Sequence, residues 1–258
     1  MLGCANLAHA VPPFRSESRH RKRTKQEQLP ARRIESLNKL CYEGRMLSIV
    51  IPTLNAEKTL TRTLAALVPA VTTGVVREVI IADGGSTDAT EEIAEAAGCE
   101  WVSCTGGRGA QLARGAALSH RGDWLLFLDQ DTVLEPGWSE ELEQLVDRMQ
   151  RVGRAHDMAA AYRLSYADIG WVPRLQERLH AAHALLLRRP TAAQGLVVAR
   201  QLYTRVGGHR EGVRRADADL ARRVGRRRMF LMKTAATTKS SGRNVSLLRS
   251  LAGSFGIL

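Results

Sequence analysis

The sequence predicts an α/β protein with a mostly parallel central sheet and helices on both faces. Two observations support this fold class. Short apolar, β-branched runs alternate with segments of helical periodicity, and the connections between them are short. Alternation of this kind is typical of βαβ units, whose crossovers place helices against a parallel sheet. The 258 residues suffice for one large domain or two small ones.

The first predicted strand is "MLSIVIPTLN", residues 46–55, a β-branched run that is interrupted by Pro52 before the loop. A helix is expected next, because apolar residues recur at spacings of three and four and form one face. These residues are Leu60, Leu64, Leu67 and Val71. "REVIIADGGSTDAT" repeats the pattern of strand and turn, and "DATEEIAEAAG" reads as a helix with Gly98 after its end.

Later elements follow the same alternation. "CEWVSC" indicates a short strand, "GAQLARGAALSH" a helix, and "GDWLLFLDQDT" the third strong strand. The second half is less regular: "AQGLVVAR" predicts a strand, "RQLYTRVGG" a short helix ended by glycines, and "DADLARRVGRR" another helix. "ARRVGRRRMFLMK" mixes arginine with apolar residues, which favours a solvated helix face, with peripheral contact to an anionic membrane as the alternative.

Composition narrows the class of protein. Hydrophobic and charged contents of 44% and 25% are ordinary for a soluble globular protein. No apolar run approaches the roughly 20 residues that cross a bilayer. The four cysteines form no CxxC pair or zinc-ligand spacing. We therefore expect reduced thiols in a cytoplasmic protein, with peripheral association at the inner face of the plasma membrane as an alternative.

Charge is distributed unevenly along the chain, with two basic end regions and an acidic middle region. Residues 1–45 carry ten Lys/Arg against four Asp/Glu, and residues 201–258 carry 13 against three. Between them, residues 46–200 carry 15 against 19. An acidic middle with few aromatics argues against a nucleic-acid-binding protein, although the isoelectric point near 10.3 motivates that alternative.

The domain prediction follows from these shifts in composition. Residues 1–45 are expected to form a basic, disordered arm, or to precede a natural start at Met46. Residues 46–240 are expected to form the folded domain. Residues 241–258 are expected to form a tail with amphipathic character.

Three polar clusters, "PTLN", "DGGSTD" and "DQDT", fall where the first, second and fourth predicted strands end. Ligands of open α/β sheets bind outside the carboxyl ends of the strands. Asp83 precedes two glycines, and a carboxylate there can accept hydrogen bonds from a base or a ribose. The plainer alternative is a strand-to-helix loop with Ser86, Thr87 or Asp88 as the helix cap. No GxGxxG or GxxxxGK[ST] motif is present, so a dinucleotide fold or a P-loop ATPase is not expected.

Asp129 and Asp131 lie at alternate positions and would point to the same side of an extended chain. Two carboxylates so close repel one another unless a cation lies beside them. Oxygen ligands with substrate phosphate are the usual surroundings of Mg²⁺ or Mn²⁺. A plain surface turn is the alternative, and the metal site is favoured because Asp83 ends a neighbouring strand.

"LSIVIPTLNAEKTL", "EVIIADGGSTDAT", "GRGAQLARGA" and "GDWLLFLDQDTVLEPG" resemble, in order and spacing, family 2 of the inverting nucleotide-sugar glycosyltransferases. The nearest likeness is to the bacterial radical-SAM/selenodomain-associated transferase 2 branch. The resemblance runs from about residue 46 to residue 231. It implies a GT-A fold, a UDP-sugar donor, a divalent metal, and a glycan, lipid or small-molecule acceptor.

The same resemblance implies roles for individual residues. Pro52, Thr53 and Asn55 would line the nucleotide pocket, and Asp83 would contact the base. Arg108 would lie near the base or the diphosphate. Asp129 would lie near the ribose or share the metal, and Asp131 would bind the metal.

An inverting transfer also needs a base on the far side of the sugar from the leaving group. Relatives carry a Glu-Asp pair, which matches Ala216 and Asp217 here, so the aspartate is present and the glutamate is not. Asp219 is the second candidate. The plainer alternative is that both are first-turn carboxylates that interact with the helix dipole.

The missing glutamate keeps open a nucleotide-sugar-binding protein without turnover. A nucleotidyltransferase is disfavoured, because "IPTLNAEKT" lacks the Gly-rich basic first loop of that class.

Overall fold

The structure of the protein is a computed structural model, and it describes residues 47–167, 192–213 and 215–238. The predicted basic arm and the predicted tail lie outside these residues. The last two residues of the predicted domain, 239 and 240, lie outside them as well. Within the described ranges, no helix is long and apolar enough to cross a membrane.

One eight-stranded sheet organises the described chain. Its strands are β1 Leu47–Thr53, β2 Val76–Asp83, β3 Glu100–Ser103, β4 Trp124–Phe127, β5 Val133–Leu134, β6 Ala159–Tyr166, β7 Leu196–Ala199 and β8 Met229–Thr238. Their order across the sheet is β3-β2-β1-β4-β7-β6-β8-β5. Strands from the first half of the chain therefore form one side of the sheet, and strands from the second half form most of the other.

The first half of the sheet is parallel, as the alternating pattern predicted. β1 pairs in parallel with β2 and β4, and β2 pairs in parallel with β3. Every residue of β1 and β4 is buried. Continuous burial is expected of a parallel sheet that is covered on both faces.

The second half of the sheet is mixed. β7 runs antiparallel to β4 and β6, whereas β8 runs parallel to β6 and antiparallel to β5. β8 corrects the prediction for "RRRMFLMK". The segment that begins at Met229 is a ten-residue strand inside the sheet and not a solvated helix face.

Seven helices are described. They are α1 Leu60–Ala65, α2 Val68–Thr72, α3 Thr90–Ala96, α4 Arg108–Leu118, α5 Trp138–Arg151, α6 Arg200–Arg205 and α7 Ala216–Val224. Helices α3, α4, α6 and α7 agree with the sequence prediction. α5 and β6 were not predicted, although α5 carries apolar residues at helical spacing that are buried in the core: Trp138, Leu142, Leu145, Val146 and Met149.

The helix predicted after β1 is two short helices, and this break changes which residues are buried. Leu60, Leu64 and Leu67 pack into the core as expected, but Val71 is 49% exposed. Pro69 lies in the first turn of α2. Because proline has no backbone N–H to continue the first helix, the chain restarts there with a new direction.

Helix α4 lies directly on β1 because a glycine faces the strand. A Cβ added to Gly115 would come within 2.4 Å of Cγ1 of Val50, so no larger residue fits at this contact without a shift. The close approach sets the height of α4 on the sheet. It thereby places the amino-terminal residue of the helix, Arg108, near the strand ends.

A buried carboxylate joins neighbouring segments at the opposite end of the sheet, where the parallel strands begin. Oε1 of Glu78 accepts hydrogen bonds from Oγ of Ser48 at 2.5 Å and from the amides of His120 and Arg121 at 2.9 and 2.8 Å. Arg200 extends this network: its guanidinium donates to the carbonyl of Gly122 at 2.6 Å. Strand, loop and helix are therefore joined through charged groups.

We expect Glu78→Gln to lower the free energy of unfolding by about 2 kcal/mol near pH 7, because the acceptor of these hydrogen bonds loses its charge. Burial raises the pKa of the Glu78 carboxyl, but the bonds from Ser48, Arg121 and His120 outweigh burial and hold it below its ordinary value. The stabilisation is thus present above about pH 4.3, the pKa of an unfolded-chain glutamate, and is lost as the pH falls through the lower folded pKa.

Denaturant unfolding of the variant and the wild type across this pH range measures the effect. Glu95→Gln, at an exposed position on α3, is the matched control. The difference between Glu78→Gln and the wild type should shrink toward low pH. A difference that stays constant with pH would contradict the assignment.

Candidate active site

The three polar clusters meet at the carboxyl ends of β1, β2 and β4, where the sequence placed them. The loop after β1 is joined to the loop after β2 by main-chain donors. The amide of Asn55 donates to Oγ of Ser86 at 2.8 Å, and the amide of Thr87 donates to Oδ1 of Asn55 at 3.0 Å. Asn55 has a φ of 49°, a conformation that asparagine tolerates better than most residues.

Pro52 and Thr53 are buried at the end of β1, and a residue that the sequence did not single out fixes them there. Nε2 of Gln111, on α4, donates to the carbonyl of Thr53 at 2.7 Å and to that of Ala82 at 2.8 Å. A Cβ on Gly84 would lie 3.0 Å from the same nitrogen. The ends of β1 and β2 are therefore held together by one buried amide.

The carboxylate of Asp83 is buried and organises its own loop. Oδ1 accepts from the hydroxyls of Thr53 at 2.9 Å and Ser86 at 2.5 Å, and Oδ2 accepts from the amides of Gly85 at 2.8 Å and Ser86 at 2.7 Å. Burial raises the pKa of Asp83, but these bonds outweigh it and hold the pKa below its ordinary value. A carboxylate has about four acceptor positions, so a bond to a nucleoside would replace one of these.

"DGGSTD" therefore forms the predicted strand-to-helix loop, but the residue that was expected to cap the helix differs. The residue before α3 is Ala89, which provides no side-chain cap. Asp88 instead accepts from the amide of Thr90 at 3.2 Å and, through its other oxygen, from the amide of Glu57 at 3.1 Å. The predicted contact between Asp83 and a nucleoside stays a prediction.

Asp129 and Asp131 lie in a turn and not in extended chain, which corrects the geometry expected for them. β4 ends at Phe127, and the amide of Thr132 donates to the carbonyl of Asp129 at 3.1 Å. The two carboxylates still interact. Burial and the charge of Asp129 raise the pKa of Asp131, and a hydrogen bond with Thr238 offsets part of the rise.

The carboxylates of this turn would be stabilised by a divalent cation, but they are too few to complete its coordination. Asp131 is a partly buried carboxylate whose nearest acidic neighbour destabilises its charge, which a cation would relieve. Across the described ranges, no group of three or more His, Cys, Asp or Glu residues could hold a metal ion. Mg²⁺ is usually bound by one or two carboxylates with water and substrate phosphates, so a pair of carboxylates is compatible with such a site, and the metal role of Asp129 and Asp131 stays a prediction.

Arg108, the first residue of α4, joins the turn to the second half of the chain. Its Nη1 lies 2.8 Å from Oδ1 of Asp129, and its Nε lies 3.0 Å from Oδ2 of Asp217. Burial lowers the pKa of the guanidinium, but Asp217 and Asp129 outweigh burial and raise it above its ordinary value. The third nitrogen, Nη2, is buried and has no hydrogen-bond partner in the part of the chain that the structure describes.

Asp217 is buried at the start of α7 between a cation and an imidazole. Besides Arg108, it faces Nε2 of His209 at 3.6 Å. The amide of His209 donates to the hydroxyl of Tyr203 at 3.0 Å, and that hydroxyl lies 3.2 Å from Nδ1 of the same imidazole. A hydroxyl that donates to Nδ1 leaves the imidazole proton on Nε2, which points to Asp217.

This environment strongly favours the ionised form of Asp217. Burial raises the pKa of its carboxyl, but Arg108 and then His209 outweigh burial and hold the pKa well below its ordinary value. A carboxylate in this state is a weak proton acceptor while the arginine stays bound to it. The contacts thus favour a role in positioning Arg108, and the catalytic role predicted for Asp217 stays a prediction.

Asp219 does not join this cluster. It accepts from Nη2 of Arg222 at 3.0 Å and Nε of Arg223 at 2.9 Å, and these bonds, which outweigh burial, lower its pKa. Residues two apart on a helix face different sides, so Asp219 points away from the side on which Asp217 contacts Arg108. Ala216, where the family resemblance implied a glutamate, is buried next to Gly109 of α4.

Comparison with known proteins identifies the family of the chain. Residues 48–220 match the family described as Glycosyl transferase family 2. The chain is similar to glucosyl-3-phosphoglycerate synthases from Mycolicibacterium paratuberculosis, with 39% identity over 99 residues, and Mycobacterium tuberculosis, with 37% over 99 residues. These segments cover 35% of this chain and 30% of each relative, so the chain matches about a third of the relatives' length.

Solved structures share the fold over a longer range. The Mycobacterium tuberculosis glucosyl-3-phosphoglycerate synthase in complex with phosphoglyceric acid superposes with a TM-score of 0.57 at 24% identity, covering 81% of this chain and 77% of that one. The same synthase with Mn²⁺, UDP-glucose and phosphoglyceric acid gives 0.56 at 24% identity, over 82% and 78%. Its complex with Mg²⁺ and UDP gives 0.56 at 22% identity, over 86% and 84%.

The family match spans the parallel half of the sheet, the Asp129–Asp131 turn, Arg108 and Asp217. The fold predicted from the sequence motifs is confirmed, and the chain belongs to glycosyl transferase family 2.

Proposed function

We propose that the protein transfers a sugar from a nucleoside-diphosphate donor, most simply a UDP-sugar, to a hydroxyl acceptor with inversion, in the presence of Mg²⁺ or Mn²⁺. One observation carries this proposal. Among the described residues, the ends of three parallel strands bring together an aspartate pair, for which no third acidic ligand is present, and an arginine whose buried Nη2 has no hydrogen-bond partner. That combination leaves both a cation and a guanidinium to be completed by phosphate oxygens.

The donor would lie across the three strand ends. Pro52, Thr53 and Asn55 would face the nucleotide, and Asp83 would either contact the base directly or hold the loop that does. Asp131 and Asp129 would hold the metal, which when bound offsets negative charge on the leaving diphosphate. Solved relatives bound to Mn²⁺ with UDP-glucose and to Mg²⁺ with UDP support this arrangement.

Arg108 would change partners when the donor binds. Its guanidinium already lies between two carboxylates, so a diphosphate competes with Asp217 and Asp129 for the same nitrogens. Nη2 provides a donor that has no acceptor among the described residues. Transfer of the guanidinium to the diphosphate would leave Asp217 without its main cationic partner and make the carboxylate a stronger base.

In the chemical step, the acceptor hydroxyl attacks the anomeric carbon of the donor sugar. The hydroxyl proton goes to the Asp217 carboxylate, a bond forms between the acceptor oxygen and the anomeric carbon, and the bond from that carbon to the diphosphate breaks. The bonding electron pair leaves with the nucleoside diphosphate. His209 would keep the second oxygen of Asp217 oriented throughout, because its Nε2 faces that oxygen from a fully buried position.

The chemical class of the acceptor can be proposed more narrowly than from the sequence alone. Phosphoglyceric acid is bound in solved relatives, and it is an anionic hydroxy acid. The loop before α7 presents exposed Arg210 and Arg215 close to Asp217 in the chain. We therefore rank anionic small molecules before neutral glycans and lipids as acceptors. Contact with an anionic membrane stays a separate hypothesis, motivated by the exposed arginines at the end of α7.

A nucleotide-sugar-binding protein without turnover is the second candidate. It is favoured by the ion pairs that occupy both Asp217 and Asp219 and by Ala216 in place of glutamate. The two functions share the donor site and differ only in whether the acceptor hydroxyl is deprotonated.

Transfer from UDP-glucose and other nucleotide sugars to 3-phosphoglycerate tests the proposal directly. We expect metal-dependent release of UDP and a glycosylated product, whose anomeric configuration, read by proton NMR, should be inverted relative to the donor. Donor binding without product from any acceptor would favour the binding protein. A product of retained configuration would contradict the role given to Asp217 as base.

Asp131→Ala should abolish the part of UDP binding that depends on Mn²⁺, because it leaves Asp129 as a single carboxylate for the metal, one that also contacts Arg108 at 2.8 Å. Calorimetric titration with UDP, in Mn²⁺ and in EDTA, measures this. Asp123→Ala, at the opposite end of β4, makes the same charge change away from the site. An Asp131→Ala variant whose UDP affinity still rises in Mn²⁺ by the same factor as that of the wild type would refute the metal role.

Asp217→Asn should lower turnover by roughly 10²–10⁴-fold while donor affinity stays near or above that of the wild type, because a general base is removed, the shape of the side chain is kept and a charged competitor for Arg108 is lost. Initial rates and donor titrations of Asp217→Asn and its matched partner Asp219→Asn separate the two candidates. Loss in Asp219→Asn alone would transfer the base role to Asp219. Unchanged turnover in both variants would exclude a base on α7.

A further inference from the structure

Gln130 occupies the middle of the turn that carries Asp129 and Asp131, and its side chain contacts a different loop. Its Oε1 accepts the amide of Leu54 at 2.8 Å, and its Nε2 donates to the carbonyl of Leu54 at 3.3 Å. One side-chain amide thus satisfies both main-chain groups of one residue in the loop after β1. The backbone of Gln130 is held as well, because its carbonyl accepts from the hydroxyl of Thr63 at 3.0 Å.

The side chain continues the sheet pairing beyond the point where the strands separate. β1 and β4 pair up to Val50 and Phe127, and the amide of Leu128 still donates to the carbonyl of Val50 at 3.1 Å. After that residue the two chains diverge into their loops. The Gln130 amide replaces the missing backbone partner of Leu54, much as a neighbouring strand would.

Packing does not hold Leu54 in place. Its side chain is 54% exposed, so little burial fixes this loop between the buried end of β1 and Asn55. The two hydrogen bonds to Gln130 are therefore the main connection between the loop after β1 and the aspartate turn. The first loop carries the predicted nucleotide contacts, and the second carries the predicted metal ligands.

We propose that Gln130 is a positioning residue that couples metal binding to nucleotide binding by holding these two loops in one register. The inference rests on the proposed donor site. A metal and a nucleoside diphosphate that share phosphate oxygens strengthen each other's binding only when both loops present their ligands to one place. The coupling is reciprocal, so it is measured equally well from either ligand.

A purely structural role makes a different prediction. A residue that only stabilises the fold lowers the melting temperature and changes UDP affinity by the same factor with and without metal. A residue that sets the register leaves metal-free UDP affinity nearly unchanged and reduces the gain in affinity that Mn²⁺ provides. The ratio of the two affinities therefore separates the roles.

Gln130→Met is the principal variant, because methionine keeps the length of the side chain and removes both hydrogen bonds. Isothermal titration of the full chain with UDP, in Mn²⁺ and in EDTA, gives the ratio for the wild type and the variant. We expect the Mn²⁺ enhancement to fall by about tenfold, since two hydrogen bonds of ordinary strength are lost. Gln150→Met, at an exposed position on α5, is the matched control and should keep the wild-type ratio.

Two further variants keep the inference testable if Gln130→Met does not fold. Gln130→Asn shortens the side chain so that it cannot reach both groups of Leu54. Thr63→Val removes the other tie, from α1 to the Gln130 carbonyl, with little change in volume. Both should lower the Mn²⁺ enhancement in the same direction as Gln130→Met.

A wild-type ratio in Gln130→Met, or an equal loss of affinity in Mn²⁺ and in EDTA, would overturn the coupling role while leaving the donor site intact. A wild-type protein whose UDP affinity does not respond to Mn²⁺ would instead contradict the proposed function, and this inference with it. The wild-type titration therefore distinguishes the two failures before any variant is measured.

Discussion

The ion pairs of Arg108 connect the two halves of the site. One guanidinium joins Asp129, in the turn after β4, to Asp217, at the start of α7, and Asp217 lies 109 positions from Arg108 in the sequence. Without that cation the carboxylates of both elements would be partly or fully buried with no counter-charge, an arrangement that costs several kcal/mol per ion. The backbone is built to permit the contact: a Cβ on Gly109 would lie 2.4 Å from the carbonyl of Arg210, so only glycine allows α4 to approach that loop.

Local pattern was enough to predict the parallel half of the fold. β1 and β2 are dense in β-branched residues, and their helices have clear ends, so periodicity and turn residues agree there. The mixed half was harder for identifiable reasons. β6 begins with three alanines, which have little preference for strands, and β8 follows three arginines that suggested a solvated face. Both segments become strands because they pair with each other and with β7 or β5, which is information from the whole sheet.

The site was predictable to the extent that it depends on where strands end. Asp83, Asp129 and Asp131 were found because carboxylates follow apolar strands, although the last two lie in a turn rather than in extended chain. The residues that hold these loops and orient Asp217 were not predictable from one sequence. Gln111 donates to the carbonyls of Thr53 and Ala82, and no spacing rule connects a glutamine on α4 with the ends of two strands. Tyr203 and His209 lie near Asp217 in the chain, but no motif marks the contacts that they make. Sequence thus locates the acids, whereas tertiary structure determines their basicity.

The buried network of Glu78, Ser48 and Arg200 lies at the amino-terminal ends of the parallel strands, and the candidate site lies at their carboxyl ends. The seven residues of β1 separate the two by roughly 20 Å. Substitutions so far apart, without shared partners, usually have additive effects. Thermal stability and substrate specificity can therefore be engineered independently in this protein. Substitutions that raise the melting temperature at the amino-terminal ends of the strands could be combined with altered donor or acceptor residues at the carboxyl ends without further adjustment.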